Sequence, residues 1–297
     1  MTLLLIVQYK SPASALVNIG PGGEGTSVFA GAMGKHRPPG TFSFISGTAC
    51  LYPMVTAMWF SLYFLQKASL PLLALSGMAI FLACPVSISR FLVVGVVLVV
   101  LAGFVGLLRS GMVNPGRIIG GAAIFMLIIG LSTLHPEFRE ASEAFGSRWN
   151  NSTSERGGVQ RALVGRVLDT VTKPLAKGFE IPIFGHGIGL GTQVGAIYAS
   201  GARSFELGEE EFPRVMSELG PVLGLAMMIL RFVLAWNIGV QCLRTSLAGQ
   251  SIPLVFGAAA IPMILYGLWG QATQLGAFAI TTGLVLAWLK QAGVRSC

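Results

Sequence analysis

Charged side chains are scarce in this chain, and acidic ones are the scarcest. Asp, Glu, Lys and Arg make up 11% of the 297 residues, whereas a soluble domain carries about 25%. Eleven of the twelve carboxylates lie between Glu137 and Glu218, and the other is Glu24. This scarcity excludes an ordinary soluble fold. The pattern indicates a chain that meets hydrocarbon over most of its length and water over one long segment.

Cysteine and histidine are sparse as well, which bears on metal and redox chemistry. The chain has four cysteines and three histidines, and none has the spacing of a zinc site or of a disulfide framework. The histidines do not cluster. His36 and His135 are expected near the membrane surface, and His186 in a loop with a structural hydrogen bond. The sequence therefore predicts no metal and no cofactor.

Signals for nucleic acids and nucleotides are missing too. The formal net charge is +8, but the basic residues are scattered, with no aromatic-interleaved groove and no known binding module. The glycine run at 185–192 lies in no strand–turn–helix unit and precedes no Gly-Lys-Ser/Thr sequence. We favour a tight turn that returns a loop to the membrane. Gly187, Gly189 and Gly191 are the predicted turn residues, and direct phosphate cradling by the run is the alternative.

What the chain does have is a series of long apolar stretches. Hydrophobic residues make up 53% of it, and several windows approach the roughly 20 residues that a membrane-crossing helix needs. Because backbone groups cannot stay unpaired in lipid, these windows predict helices. The predicted fold is all-α: a polytopic helical membrane bundle of about seven spans, with one large extracytoplasmic loop that contains amphipathic helices. The spans are predicted at residues 47–65, 70–88, 91–109, 117–134, 219–241, 252–270 and 274–290.

These spans divide the chain into four regions. A partial apolar start and an external loop occupy 1–46, and a four-span membrane region occupies 47–134. A large external loop follows at 135–218, and a three-span membrane region at 219–297. Residues 1–7 are apolar but too short to cross a bilayer. They are interpreted either as the last turns of a helix whose beginning is absent or as a short helix dipping into the interface.

Basic residues in the short breaks predict the orientation. The breaks on one side hold only Arg90 and a glutamine-containing stretch. Short cytoplasmic loops carry the excess of Lys and Arg, so the richer side is taken as cytoplasmic. The carboxy terminus is then cytoplasmic, and 9–46 and 135–218 are extracytoplasmic. The basic residues on the richer side are Lys67, Arg109, Arg117, Arg244, Lys290 and Arg295.

The large loop shows two amphipathic patterns. Phe138, Phe145 and Trp149 share one helical face, and charged residues such as Arg148 lie away from it. A second apolar stripe covers 159–171. Both patterns predict helices that lie on the bilayer surface or cap the bundle.

Three ordered stretches carry a more specific signal. The first is Arg-Pro-Pro-Gly-Thr-Phe at 37–42, at the outer mouth of a span. The second is the glycine run ending at Thr192, and the third is the loop exit at 211–224, with Glu218-Leu-Gly-Pro-Val-Leu-Gly. In this order, these stretches resemble the O-antigen ligase and O-antigen polymerase family of bacterial membrane glycosyltransferases. The resemblance covers nearly the whole chain.

The chain departs from that family in two places. Typical members carry a His-Asn pair shortly before the loop-exit glutamate, where this chain has Glu209 and Glu210. A carboxylate would then take the role of the histidine. Family members also usually have more spans, so we expect this chain to lack their amino-terminal part.

The resemblance implies transfer of a glycan from a polyprenyl diphosphate carrier to a glycan or lipid acceptor, without metal or nucleotide. It also implies a location in the bacterial cytoplasmic (inner) membrane, with membrane lipids but no nucleic acid as partners. Negative charge develops on the departing diphosphate, and the planar fork of arginine suits phosphate oxygens. Arg37, Arg148 and Arg214 are the predicted diphosphate-binding residues.

An acceptor hydroxyl benefits from a general base, and Glu209, Glu210 and Glu211 are the candidate catalytic residues. A run of glutamates is also typical of a solvated face. The arginines have plainer interpretations as well. Arg37 could anchor a helix end in the headgroups, and Arg148 could be the solvated edge of an amphipathic helix. Pairing with Glu210 or Glu211 at the surface is the corresponding interpretation for Arg214.

Arg231 keeps other functions open, because it lies inside a predicted span. An intramembrane cation marks a functional site by default, and snorkelling towards the cytoplasmic surface is the alternative. The leading prediction is a metal-independent membrane glycosyltransferase for cell-surface polysaccharide. The runner-up is a polysaccharide or lipid transporter or flippase, in which glycine- and proline-interrupted spans such as 70–88 and 252–270 surround a midplane site. A non-catalytic fragment of a larger membrane protein is the third.

Overall fold

The computed structural model describes residues 1–19, 32–109, 136–154, 172, 181–201 and 210–293. The regular elements in these ranges are helices, which confirms the predicted all-α class for the described part of the chain. They are α1 (Thr2–Lys10), a 3-10 turn (Leu16–Asn18), α2 (Ile45–Phe64), α3 (Leu70–Val86), α4 (Arg90–Arg109), α5 (Pro136–Ser154), α6 (Gln193–Ser200), α7 (Glu211–Leu247), α8 (Ile252–Tyr266) and α9 (Ala272–Gln291).

Four of the described helices, α2, α4, α7 and α9, are long and apolar enough to cross a membrane. Two more, α3 and α8, are apolar but have only 17 and 15 residues. The predicted span 117–134 and the apolar stripe at 159–171 lie outside the described residues, as do His135 and Glu209. A total of about seven spans therefore stays a prediction.

The chain divides into two compact units. The first unit comprises Met1–Asn151, Gly239–Ala260 and Ile280–Cys297. The second unit comprises Ser152–Ile238 and Ile261–Ala279. The first unit thus contains α1 to α4 and most of α5, and the second contains the glycine run and the start of α7.

In the first unit, α2 and α4 pack closely because α4 presents glycines to α2. A Cβ added at Gly95 would come within 2.6 Å of Pro53 Cγ, and one added at Gly103 would overlap the ring of Phe60. Lipid tails are as apolar as leucine, so helices associate in a membrane through close packing rather than through exclusion of water. Leu101, elsewhere on α4, is 56% exposed.

The amphipathic helix α5 packs against α1 and α3 of the same unit. Its Glu137 pairs with Lys10 of α1, and its Phe138 stacks on Phe81 of α3 with ring centroids 5.5 Å apart. These contacts join α5 to α1 and α3, and its predicted place on the bilayer surface or as a cap of the bundle stays a prediction.

The buried face of α5 differs from the predicted aromatic stripe. Ala141 and Ala144 are fully buried. Phe145 and Trp149 are only partly buried, and their ring centroids lie 6.0 Å apart. Small side chains allow the backbone of α5 to approach its neighbours, which bulky rings on that face would prevent. Arg148, expected to lie away from the packed face, instead reaches a neighbouring turn.

Candidate functional site

The helix α7 folds back on itself at Gly220, in the second unit. Gly220 has φ 77° and ψ 174°, which L side chains rarely adopt, and Pro221 begins the next helical segment. As a result, Phe212 stacks on Phe232 with ring centroids 6.1 Å apart. A straight helix would separate these two positions by about 30 Å. Residues 211–219 therefore pack as a separate short helical segment beside the rest of α7.

This fold-back brings together Glu211, Arg214, Glu218 and Arg231, named the buried cluster here. Arg214 forms a bidentate ion pair with Glu211, in which Nε donates to Oε2 at 3.0 Å and Nη2 donates to Oε1 at 2.9 Å. Its Nη1 donates to Glu218 Oε2 at 2.6 Å. Arg231 Nη2 donates to Glu211 Oε1 at 2.8 Å, which closes the chain of ion pairs.

The buried cluster is electrically balanced and shielded from water. It contains two carboxylates and two guanidinium groups, and each of these side chains is at most 11% exposed. Opposite charges in such a medium stabilise one another strongly, but each also loses its hydration. Removal of any one member would leave a charge without compensation.

The local sequence explains three of the four members. Arg214 follows Glu211 by three residues and precedes Glu218 by four, so all three share one helical face. The fourth member, Arg231, joins them only because the chain turns back at Gly220.

Arg231 makes further contacts besides Glu211. Its Nη2 also donates to the carbonyl of Gly267 at 3.1 Å, and its guanidinium carbon lies 3.8 Å from the ring centroid of Trp269. Stacking on an indole stabilises a desolvated cation. Within the described residues, Nε and Nη1 of Arg231 have no hydrogen-bond partner. Arg231 therefore forms an internal ion pair with Glu211 and does not snorkel towards the cytoplasmic surface.

The glycine run packs against the corner of α7. The amide of Gly187 donates to the Glu218 carbonyl at 3.2 Å, and the amide of His186 donates to the Ser217 carbonyl at 2.9 Å. His186 Nδ1 lies 3.1 Å from that same Ser217 oxygen. The histidine thus has the structural hydrogen bond that its place in a loop predicted.

The run also contacts the buried cluster directly. The amide of Gly191 donates to Glu218 Oε1 at 2.8 Å, and a Cβ at Gly191 would overlap Arg214 Cγ. Gly187 and Gly189 have φ values of 115° and 95°, which favour glycine. The run therefore forms a turn, as favoured, and its Gly191 amide binds a carboxylate of the protein itself.

The three predicted base residues have different surroundings. Both oxygens of Glu211 accept from guanidinium groups, and the residue is 4% exposed, so an acceptor hydroxyl has no direct access. Glu210 is exposed to solvent. Glu209 lies outside the described residues. Arg214 does pair with Glu211, as the plainer interpretation had it, but in the interior instead of at the surface.

The other two predicted arginines belong to the first unit. Arg148 donates to the carbonyl of Ile88, in the turn between α3 and α4. Burial lowers the pKa of the Arg37 guanidinium, and the nearby positive charge of Arg90 lowers it further. Arg37 and Arg148 are both partly buried and both lie near residues 88–90. A meeting of these arginines with Arg214 in one pocket stays a prediction.

Sequence reasoning assigned no site role to Glu218, Gly267 or Trp269. The Glu-x-x-Arg-x-x-x-Glu spacing was a usable signal for Glu218, because such spacing places a cation between two anions on one face. No comparable signal pointed to Gly267 or Trp269, which reach Arg231 from another element.

No family model, no curated protein and no solved structure matches this chain.

Proposed function

We propose that this protein is a membrane glycosyltransferase of the bacterial inner membrane, with its carboxy terminus in the cytoplasm. It would transfer or polymerise a glycan from a polyprenyl-diphosphate-linked donor. The observation that carries the proposal is the hydrogen bond between Gly191 and Glu218. It joins two of the stretches that resemble the O-antigen ligase and polymerase family, the glycine run and the loop exit. Two short signals that are each weak alone gain weight when they form one buried contact.

In this proposal the donor diphosphate is bound by Arg37 and Arg148. Both are partly buried beside the turn at residues 88–90, where like charges near one another favour an anionic ligand. Guanidinium groups held in place before the reaction stabilise the charge that develops on a leaving diphosphate.

Arg214 has a positioning role in the proposal. All three of its guanidinium nitrogens already donate to carboxylates, so it would bind a phosphate only by exchanging one of them. Its present contacts fix Glu211 and Glu218, and through Glu218 they fix the glycine run.

Glu210 is the preferred general base among the three glutamates. It is exposed, and it stands at the first turn of the segment that carries the buried cluster, where its backbone carbonyl accepts from the Arg214 amide at 3.1 Å. A carboxylate at this place is open to an acceptor hydroxyl.

The test is a deletion in the bacterial host followed by complementation. Deletion is expected to cause accumulation of lipid-linked oligosaccharide and loss of the corresponding surface glycan. Complementation with Arg37→Ala should restore transfer about 10²–10³-fold less well than the native chain, the usual cost of losing one charge-stabilising donor.

Arg139→Ala is the matched control, since Arg139 is an arginine on α5 whose side chain is 76% exposed. Both variants are compared at equal membrane abundance. An unchanged surface glycan after deletion would contradict the transferase. Equal complementation by the two variants would contradict the diphosphate role of Arg37 alone.

A polysaccharide or lipid transporter is the second candidate, and the buried cluster is the observation that favours it. Glu211 and Arg231 are buried charges on α7, a helix long and apolar enough to cross a membrane. Such charges often line a transport pathway. Purified protein in liposomes with a labelled lipid-linked glycan separates the two: a new glycosidic product supports the transferase, and movement of intact donor between leaflets supports the transporter.

A further inference from the structure

The segment at 181–201 presents a surface that neither candidate function uses. It contains no Asp, Glu, Lys or Arg, although it lies in the part of the chain where the carboxylates are concentrated. Such an uncharged composition is more typical of a segment that contacts a membrane than of a solvated loop. We propose that this segment inserts its apolar side chains into the lipid interface beside α7.

The large side chains of the segment point outward. Phe184 is 83% exposed, Ile188 84% and Tyr198 88%, while Ile183 and Val194 are each more than 60% exposed. Contiguous exposed apolar side chains of this size mark a contact with a partner or a membrane.

The backbone of the segment holds these side chains in place. The amides of His186 and Gly187 donate to the carbonyls of Ser217 and Glu218 at the corner of α7, so these two polar groups of the loop face inward. The helix α6 is capped by Thr192, whose Oγ1 accepts from the Gly195 amide at 3.0 Å. Its end is closed by Gly201 with φ 72°.

Within α6, Val194, Ile197 and Tyr198 share one face, at positions i, i+3 and i+4. A groove of about 450 Å³ separates this face from Ile188 and Leu190 of the loop. The loop and the helix thus form one apolar shelf.

The position of the shelf selects lipid as the occupant. The carbonyl of Ile183 lies directly against Gly220, at the point where the long segment of α7 begins. The next turn of α7 exposes Val222 (65%) and Leu223 (53%) on a helix that is apolar enough to cross a membrane. The shelf therefore continues the apolar surface of that helix. An exposed tyrosine such as Tyr198 is typical of the interface between headgroups and acyl chains.

The test places a nitroxide on Ile188→Cys in the full chain, with its own cysteines replaced by alanine, in nanodiscs of zwitterionic and anionic phospholipid. Molecular oxygen, enriched in hydrocarbon, is expected to relax this label more strongly than a water-soluble nickel chelate. The label is expected to lie about 5–10 Å into the boundary between headgroups and acyl chains. A label at Leu230→Cys is the lipid reference, because Leu230 is exposed on a helix apolar enough to cross a membrane. A label at Asn150→Cys is the water reference, because Asn150 is an exposed polar side chain.

Stronger relaxation by the nickel chelate would overturn the proposal, since the shelf would then lie in water. Weak relaxation by both reagents would also overturn it, because another protein surface or a second copy would cover the label. A label at Tyr198→Cys tests whether the apolar side chains cause the insertion. In this labelled chain, Ile188→Asp should increase relaxation by the nickel chelate relative to oxygen, and Ile188→Leu should not. These outcomes do not depend on the enzymatic activity of the chain.

Discussion

Ion pairs occur in both units, and they differ in burial. In the first unit, Lys35 pairs with Glu140 at 3.1 Å, and the two side chains are 30% and 45% exposed. In the second unit, Glu211 pairs with Arg231 at 2.8 Å, and the two are 3% and 0% exposed. Water and salt screen the first pair, which contributes about 0–1 kcal/mol. The second cannot lose a partner without leaving a buried charge. Stability therefore depends little on the exposed ion pair of the first unit, whereas it depends on both partners of the buried pair in the second unit.

The largest effect is expected from Glu211→Gln. The substitution preserves size but leaves two guanidinium groups facing one carboxylate in the interior. Breaking a buried pair of this kind should lower the free energy of unfolding by about 3–5 kcal/mol. Unfolding in mixed detergent micelles, followed by the fluorescence of Trp269 and the other tryptophans, measures it. Glu140→Gln is the control, with an expected change within about 0.5 kcal/mol. Equal losses in the two variants would remove the distinction between the units.

A smaller effect is expected from Gly220→Ala, which acts on the turn that assembles the buried cluster. Alanine at φ 77° is strained, and its Cβ would overlap the Ile183 carbonyl. We expect a loss of about 1–3 kcal/mol of unfolding free energy. The reference is Gly276→Ala in α9, where a Cβ meets nothing within 4 Å and helix propensity favours alanine. A Gly220 variant as stable as the Gly276 variant would show that the fold-back does not need a positive φ.

The first unit should become sensitive to acid through His36. Burial lowers the pKa of this imidazole from 6.5, and the charge of Lys35 lowers it further, against a hydrogen bond with the Gln8 backbone. The unfolded chain then binds the proton more tightly than the folded one. Stability is unaffected by this group above pH 6.5 and decreases as the pH falls below it.

Unfolding midpoints of the native chain and of His36→Gln, measured across that range, test this expectation. The difference between the two proteins should change with pH only on the acid side. A constant difference would assign the acid sensitivity to other groups.

The smallest effect is expected for the exposed pair. A double-mutant cycle of Lys35→Ala and Glu140→Ala should give a coupling of about 0–1 kcal/mol, and salt should weaken it. A coupling insensitive to salt would place this pair in the same class as Glu211 and Arg231.

The sequence predicted the long apolar helices closely. The predicted spans 47–65 and 91–109 correspond to Ile45–Phe64 and Arg90–Arg109. Such agreement has a simple cause, since an uninterrupted apolar window of this length has few alternatives to a helix. The predicted span 252–270 extends past the end of α8 at Tyr266, where the chain leaves the helix before Gly267.

The candidate site was harder to predict because its charges resemble those of a solvated loop. Residues 211–218 were assigned to the external loop, yet they form the first turns of α7. Glu211, Arg214 and Glu218 are buried there because they neutralise one another. A hydropathy scale gives each charged residue the same value whether or not an opposite charge neutralises it, so it does not predict the burial of paired charges.

The sequence alone determined that this chain is helical and largely apolar, because hydrocarbon-length runs of apolar residues and paired backbone groups require it. The Glu-x-x-Arg-x-x-x-Glu spacing puts Glu211, Arg214 and Glu218 on one face once residues 211–218 are helical, as they are in the structure. Only the tertiary structure decided that Arg231 completes the cluster. The reason is the positive φ of Gly220, which turns the chain back and brings Arg231 to 2.8 Å from a residue 20 positions earlier.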